Sequence, residues 1–108
     1  MFLLYNIGDV ILVNFPYEDN SNRTKKRPAV IMNINPNQIT VLALKVTSTP
    51  PRDRHDYQLR DWAVSGLLRP STVRTAKMAE IRIQDIDRRL GALTQEEFAI
   101  IISMLDSF

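Results

Sequence analysis

Residues 8–16 read GDVILVNFP, a glycine–aspartate pair followed by a dense run of β-branched and apolar side chains that stops at a proline. Such a run between turn-forming residues predicts a buried β-strand. Two further strands are predicted over residues 27–33 and 38–47, with a turn at Asn35-Pro36-Asn37 between them. The strand over residues 38–47 is apolar on both faces, which indicates a central position in the sheet.

The middle of the chain predicts shorter elements. Residues 48–55 contain Pro50-Pro51 and three charges, which indicates an exposed loop, and residues 56–60 predict a short strand. Residues 67–75 predict a strand that Pro70 interrupts, and residues 85–90 are typical of a helical turn.

The end of the chain predicts an α-helix with a marked start. Thr94 and Glu97 form a capping-box pattern, and Leu93 and Phe98 are spaced for a hydrophobic staple. One face is apolar at the helical spacing, and two more residues widen it: Phe98, Ile101, Ile102 and Leu105, then Ile100 and Met104. The sheet is expected to cover this surface, and a second subunit is a further candidate.

Together these elements predict a mainly β fold with a C-terminal helix. Five or six short strands and one helix indicate a small, strongly bent antiparallel sheet closed like a barrel. At 108 residues the chain is expected to form a single domain over residues 1–108.

Composition excludes several kinds of site. The chain has no cysteine, so disulfides and thiolate metal sites are excluded, and its one histidine, His55, cannot form a multi-histidine metal site. No metal or other cofactor is expected. No stretch approaches the length of a membrane span, and the apolar first residues lack a basic leader, so a cytoplasmic location is expected.

The positive charge is concentrated in the middle of the chain. The net charge is +2, but residues 20–77 hold eleven Lys or Arg against three acids, whereas residues 1–19 and 78–108 each carry an excess of three acids. This distribution favours an anionic partner for the middle of the chain. A solvated surface of mixed charge is the alternative.

Four of five consecutive residues are cationic in Arg23-Thr24-Lys25-Lys26-Arg27, and Pro28 follows. We interpret residues 17–26 as a polar loop and Arg27 as its last cation, held at the entry of the second strand. The arginine fork matches the geometry of a phosphate and stays charged, which suggests a phosphodiester substrate. Arg23, Lys25 and Lys26 are expected to form a mobile electrostatic fringe.

The order and spacing of several short motifs resemble the MazF/PemK (Kid) toxins of type II toxin–antitoxin modules. The motifs are Gly8-Asp9-Val10, Phe15-Pro16, Lys26-Arg27-Pro28-Ala29-Val30, Val46-Thr47-Ser48, Gly66-Leu67, Ser71-Thr72-Val73-Arg74 and Leu90-Gly91-Ala92-Leu93-Thr94. The resemblance implies an SH3-like barrel of the MazF/Kid/CcdB kind that forms a homodimer. It also implies a metal-independent, sequence-selective endoribonuclease that cuts single-stranded RNA, commonly mRNA, and is inhibited by a cognate antitoxin.

The resemblance assigns three catalytic residues. Arg27 matches the arginine before the family's proline, Thr47 matches the threonine at the end of its third strand, and Arg74 matches an arginine that some members use in catalysis. The chain departs from the family at two places. Ala76 stands where some members have an aspartate, and residues 17–26 lack the histidine that some members carry in the first long loop.

Further residues are candidates for binding RNA. Phosphate contacts are expected from cationic and hydroxyl side chains, namely Lys25, Lys26, Ser48, Arg52, Arg54, Arg69 and Lys77. Tyr17 and Trp62 are candidates for stacking on unpaired bases, although a tryptophan is more often a core residue. His55 is either a general acid or base or a solvated loop histidine. Asp9 is expected to be structural.

Two other functions are compatible with the sequence. A gyrase-poisoning toxin of the CcdB kind shares the predicted fold but binds protein and cuts no RNA. A catalytically weakened, RNA-binding relative is the second alternative, because Ala76 and the loop without histidine remove possible proton-transfer groups.

Overall fold

The computed structural model describes residues 4–16 and 22–107. The described residues form one six-stranded antiparallel sheet and one α-helix, which confirms the predicted mainly β fold with a C-terminal helix. The elements are β1 (Asp9–Pro16), β2 (Thr24–Asn35), β3 (Thr40–Thr47), β4 (Asp56–Gln58), β5 (Thr72–Arg82), β6 (Ile86–Ala92) and α1 (Gln95–Asp106). A 3₁₀ turn at Ile83–Asp85 joins β5 to β6. In this part of the chain no helix has the length and apolar character needed to cross a membrane.

The strand order is β4-β5-β3-β2-β1-β6, so the predicted central position of the third strand is confirmed. Successive side chains of a strand point to opposite faces, and both faces of this sheet are buried. Val10, Val30, Leu44, Val46 and Ile101 belong to one cluster, the helix-side core. The other cluster, the second core, contains Ile11, Val13, Ala29, Ile31 and Val41 among its buried members. The β-branched run of β1 therefore supplies both cores by alternation.

The turn between β2 and β3 lies where Asn35-Pro36-Asn37 predicts it. The Asn35 side chain accepts a hydrogen bond from the backbone N–H of Asn37 at 3.1 Å, as an Asx turn does. The turn continues through Ile39, which has a φ of 57°, so β3 begins at Thr40 rather than at Gln38. A β-branched residue in the left-handed region is strained.

Removing this strain is expected to stabilise the protein. Ile39 is 47% exposed, so Ile39→Gly loses little burial and relieves about 1 kcal/mol of backbone strain. A gain of that size raises the Tm by about 4–8 °C in a domain of this size. Thermal unfolding checks this, with Ile39→Ala as the control that keeps the strained backbone position. A Tm for Ile39→Gly at or below that of Ile39→Ala contradicts the prediction.

The basic stretch is part of a strand, so the prediction of a mobile loop for Lys25 and Lys26 is wrong. β2 begins at Thr24, and Lys25 and Lys26 pair with Phe15 and Asn14 of β1. The strand accommodates these cations because both lysines are exposed. Pro28 is tolerated within β2 because pairing with β3 begins only at Ala29.

The predicted helical turn over residues 85–90 is also wrong. Ile86–Ala92 is β6, which pairs with β1, and only Ile83–Asp85 is helical. Two register shifts interrupt the β1–β6 ladder, between Val10 and Ile11 and between Leu12 and Val13. Such irregularities break the two-residue alternation by which a strand is recognised in a sequence.

The other short predictions are confirmed in part. The short strand predicted over residues 56–60 is present as β4 but ends at Gln58. The interrupted strand predicted over residues 67–75 is wrong before Thr72, where β5 begins, because residues 67–71 form a connection. β5 then continues to Arg82, well beyond the prediction.

Helix α1 begins as predicted, at the N-cap Thr94, whose hydroxyl oxygen accepts a hydrogen bond from the backbone N–H of Glu97 at 3.2 Å. The second half of the predicted capping box is wrong. The fully buried Glu97 carboxylate accepts hydrogen bonds from the Tyr57 hydroxyl at 2.6 Å and from the backbone N–H groups of Arg60 at 2.9 Å and Asp61 at 3.0 Å. Three donors at a buried position satisfy this carboxylate better than one N–H at the helix start does.

The helix buries the predicted face only in part. Ile101 is fully buried in the helix-side core, and Phe98 and Leu105 pack against that core. Leu93 belongs to the same cluster as Phe98, as the predicted staple requires. Ile102, however, remains 37% exposed.

Tyr57 links the stability of this region to alkaline pH. Burial, followed by the hydrogen bond to Glu97, raises the pKa of Tyr57 from 10.0 to about 12. The hydroxyl therefore contributes its full stabilisation below pH 10, and that contribution is lost as the pH rises through 10 to about 12. We expect the difference in unfolding free energy between the wild type and Tyr57→Phe to shrink across this interval. Urea unfolding at several pH values measures it, and a constant difference contradicts the prediction.

Candidate functional site

An open cavity of about 360 Å³ lies where residues 66–71, the cavity wall, approach β1, β2, β3 and β6. Its apolar lining lies on the same face of the sheet as the helix-side core. Val46 belongs to that core, and Leu12 and Pro28 are cross-strand partners on the same face. The lining residues are Leu12, Lys26, Arg27, Pro28, Val46, Thr47, Ser48, Gly66, Leu67, Leu68, Arg69, Ser71, Arg88 and Leu90. The cavity thus combines an apolar floor with polar and cationic side chains.

The charge of the lining has one sign. Lys26, Arg27, Arg69 and Arg88 line the cavity, and none of the acidic residues that the structure describes does. Lys26 lies 3.6 Å from the carboxylate of Asp87. Among the described residues, the guanidinium groups of the three arginines form no ion pair with a carboxylate. Arginines without internal partners keep their donor forks available for an anionic ligand such as a phosphate.

Arg27 is held by a strand, although not at its first residue. It is the fourth residue of β2 and pairs with Val13 of β1, which is fully buried. The β2–β3 pairing ends at Ala29, so Arg27 lies where β2 and β3 separate and the cavity opens. The strand fixes the backbone of Arg27, which is half-buried and is one of the residues that line the cavity.

Thr47 and Ser48 reach the same cavity from the end of β3. The Thr47 hydroxyl accepts a hydrogen bond from the backbone N–H of Thr49 at 3.2 Å and donates one to the Thr49 hydroxyl at 3.3 Å. These bonds are the local strand-end bonding typical of threonine, and they fix the position of the hydroxyl in a residue that lines the cavity. The structure therefore brings Arg27, Thr47 and Ser48 together.

Arg74 does not line this cavity. Its Nε lies 3.4 Å from the Asp56 carboxylate, and the two side chains are only 13% and 3% exposed. The other oxygen of Asp56 accepts a hydrogen bond from the backbone N–H of Arg52 at 3.0 Å. The observed contacts of Arg74 thus attach the edge strand β4 to β5, and its catalytic role stays a prediction. Ala76 is exposed and lies outside the cavity lining.

Several predicted RNA-binding residues also lie outside the cavity lining. Arg52 and Arg54 are exposed in the connection before β4, Lys25 is exposed on β2, and Lys77 is half-buried on β5. These residues do not line the cavity, and their contacts with RNA stay predictions.

The aromatic and titratable candidates have structural contacts. The carbonyl of His55 accepts hydrogen bonds from the N–H of Thr75 at 2.9 Å and from its hydroxyl at 2.6 Å, and Nδ1 lies 3.6 Å from the Asp53 carboxylate. Trp62 packs against the helix-side core, which agrees with the core alternative. Tyr17 lies outside the described residues.

Asp9 is structural, as expected. Its carboxylate accepts a hydrogen bond from the backbone N–H of Asn6 at 2.7 Å and lies 3.1 Å from Nε of Arg89. No cluster of three or more His, Cys, Asp or Glu side chains suited to a metal ion occurs in residues 4–16 and 22–107.

Arg88 is a cavity cation that was not predicted from the sequence. The segment that contains it was predicted to be a helical turn, so no face could be assigned to it. Once β6 is aligned with β1, Arg88 pairs with Leu12 and shares its face. The signal present in the sequence was the Arg88-Arg89 pair, which is uninformative without that register.

Comparison with known proteins identifies the family. The family model of PemK-like, MazF-like toxins of type II toxin–antitoxin systems matches residues 6–108. No curated protein matches the chain. Among solved structures, MazF from Deinococcus radiodurans is 16% identical, with 98% of this chain and 96% of that chain covered and a TM-score of 0.77.

Two mycobacterial structures have the same fold. The Mycobacterium tuberculosis toxin MazF-mt6 is 19% identical, covers 92% of this chain and 93% of its own length, and has a TM-score of 0.71. An endoribonuclease in complex with its cognate antitoxin, from a mycobacterial species, is 17% identical, with 93% and 89% coverage and a TM-score of 0.71. At these identities the structures support the fold alone.

Proposed function

This chain belongs to the PemK-like, MazF-like toxins of type II toxin–antitoxin systems, and from that premise we propose that it is a metal-independent endoribonuclease that cuts single-stranded RNA. The observation that carries the proposal is the cavity in which Arg27 and Thr47 meet. Its cationic lining suits the phosphates of RNA, and its apolar floor suits an unstacked base.

The proposed reaction uses the ribose 2′-hydroxyl as an internal nucleophile. Its oxygen forms a bond to the adjacent phosphorus while the bond from phosphorus to the 5′-oxygen breaks. The 2′-oxygen loses a proton and the departing 5′-oxygen gains one, which leaves a 2′,3′-cyclic phosphate and a free 5′-hydroxyl. Negative charge builds on the phosphoryl oxygens as the nucleophile attacks, and Arg27 and the Thr47 hydroxyl are the proposed donors to those oxygens.

The cavity favours charge stabilisation over proton transfer. In residues 4–16 and 22–107 its lining contains hydroxyl groups and cations but no His, Asp or Glu. An arginine is a poor general acid or base because its guanidinium stays protonated. We therefore assign Arg27 to binding the scissile phosphate, and Arg74 to a supporting role through the chain segment that it attaches.

We propose two protein partners. A cognate antitoxin is expected to inhibit the toxin by covering the RNA site, in line with the antitoxin complex among the structural relatives. A homodimer is expected because Ile102 leaves part of the apolar face of α1 uncovered. We place the activity in the cytoplasm because the proposed substrate is mRNA.

Incubation of the purified protein with a long single-stranded RNA in EDTA tests the proposal. We expect discrete fragments that end in 2′,3′-cyclic phosphates. Binding without cuts identifies the weakened RNA-binding relative. This relative is the second candidate because the described lining residues include no His, Asp or Glu. Inertness towards RNA together with inhibition of gyrase identifies a CcdB-like toxin. Either outcome contradicts the proposed activity.

A further inference from the structure

Arg88 lies across the cavity from the strand that carries Arg27. Leu12 of β1 pairs with Pro28 of β2 on one side and with Arg88 of β6 on the other. Paired residues share a face of the sheet, so Arg88 is on the same face as the cavity floor. β6 and β2 are separated by two strand spacings, a distance of about 10 Å.

The neighbours of Arg88 in the chain are occupied by internal ion pairs. Asp87 lies 3.6 Å from Nζ of Lys26, and Arg89 lies 3.1 Å from the nearly buried Asp9. Arg88 is exposed and forms no such pair within the described residues. The two flanking charges are therefore paired within the protein, whereas the Arg88 guanidinium is available to a ligand.

The surface between Arg27 and Arg88 is apolar. Leu12 and Pro28 lie on it, and Leu90 of β6 extends it. An apolar surface next to a cation suits a nucleotide whose phosphate is bound by that cation, because every base has an apolar face whatever its identity.

We propose that Arg88 binds a second RNA phosphate, adjacent to the scissile one, and that the nucleotide between the two phosphates rests its base on the cavity floor. This inference rests on the proposed function, since Arg27 is taken to hold the scissile phosphate. In this scheme Arg88 contributes to RNA affinity and takes no part in the chemical step, in which Arg27 binds the scissile phosphate.

Binding of an uncleavable RNA tests the role of Arg88. The probe is a fluorescein-labelled 2′-O-methyl oligonucleotide of mixed sequence, which lacks the nucleophile, titrated at several salt concentrations. We expect Arg88→Ala to bind about 10-fold more weakly and to lower the slope of log affinity against log salt by about 0.7, the value for one lost contact to single-stranded phosphate. In cleavage, KM is expected to rise and kcat to stay within about 2-fold.

Arg82→Ala is the matched control. It removes the same charge from an exposed site on β5, where Arg82 pairs with Asp85 outside the cavity, and it is expected to keep the wild-type slope. Thermal unfolding verifies that both variants fold, and Arg88→Glu, which reverses the charge, is expected to bind more weakly still.

The outcomes separate the two proposals. If the wild type binds RNA and Arg88→Ala binds with the same affinity and salt slope, the inference about Arg88 is overturned while the proposed function stands. If the wild type binds no RNA, the proposed function itself fails. An equal loss in Arg82→Ala also overturns the inference, because the effect is then one of net charge.

Discussion

Arg27→Ala is expected to lower kcat for RNA cleavage by about 10²–10³-fold, the usual effect of removing one donor that stabilises transition-state charge. The proposed role of Arg27 is to bind the phosphoryl oxygens on which charge builds. Arg27 lines the cavity and forms no ion pair among the described residues, so its removal leaves none of their carboxylates without a partner. We therefore expect a large loss of activity with little change in Tm.

Time courses on a fixed RNA substrate in EDTA measure this effect. Arg27→Lys serves as the matched variant, because it keeps the charge and removes the planar fork, and we expect it to retain intermediate activity. Thermal unfolding of each variant shows whether a loss arises from misfolding. Cleavage by Arg27→Ala at the wild-type rate would exclude Arg27 from the chemistry and leave the other cavity cations as candidates.

Gly91→Ala is expected to destabilise the protein by about 3 kcal/mol or more, a large share of the stability of a small domain. A Cβ on Gly91 would lie 2.3 Å from the carbonyl oxygen of Ser65, and a Cβ on Gly66 would lie 2.1 Å from that of Leu90. Both obstacles are backbone atoms, which cannot rotate away as a side chain can. β6 and the cavity wall therefore cross at a distance that only glycine allows.

Urea unfolding of Gly91→Ala and Gly8→Ala separates crowding from backbone strain. Gly8 has a φ of 93°, but of the residues that the structure describes a Cβ there would meet only the Phe98 ring, at 3.6 Å. Its replacement is therefore expected to cost only about 1 kcal/mol of strain. If Gly8→Ala were as destabilising as Gly91→Ala, the close approach of the two backbones would not explain the effect.

The parts of the fold predicted correctly from the sequence are those whose pattern is local. The β-branched run of β1, the Asx turn at Asn35 and the N-cap at Thr94 each follow from neighbouring residues, and the structure confirms them. The position of Arg27 on the second strand also follows from its neighbours, although the strand begins three residues earlier than predicted, and its role stays a prediction.

The predictions that failed depend on partners distant in the sequence. β6 was mistaken for a helical turn because register shifts against β1 disturb its alternation. Glu97 was assigned to the helix start, whereas its donors lie 36 to 40 residues earlier in the chain. Arg88 could not be placed in the cavity before its pairing with Leu12 was known. Local propensity does not encode such pairings, which only the assembled sheet supplies.

The contacts of Glu97 have a consequence for protein synthesis. Arg60 and Asp61, whose N–H groups Glu97 binds, precede the cavity wall, and the backbone of Ser65 is bonded to Asp61 in turn. The carboxylate that holds this segment belongs to α1, which follows the segment in the chain and is therefore synthesised after it. A nascent chain in which α1 is still inside the exit tunnel therefore lacks this support, and we expect the RNA site to be completed only after α1 has emerged and packed on the sheet.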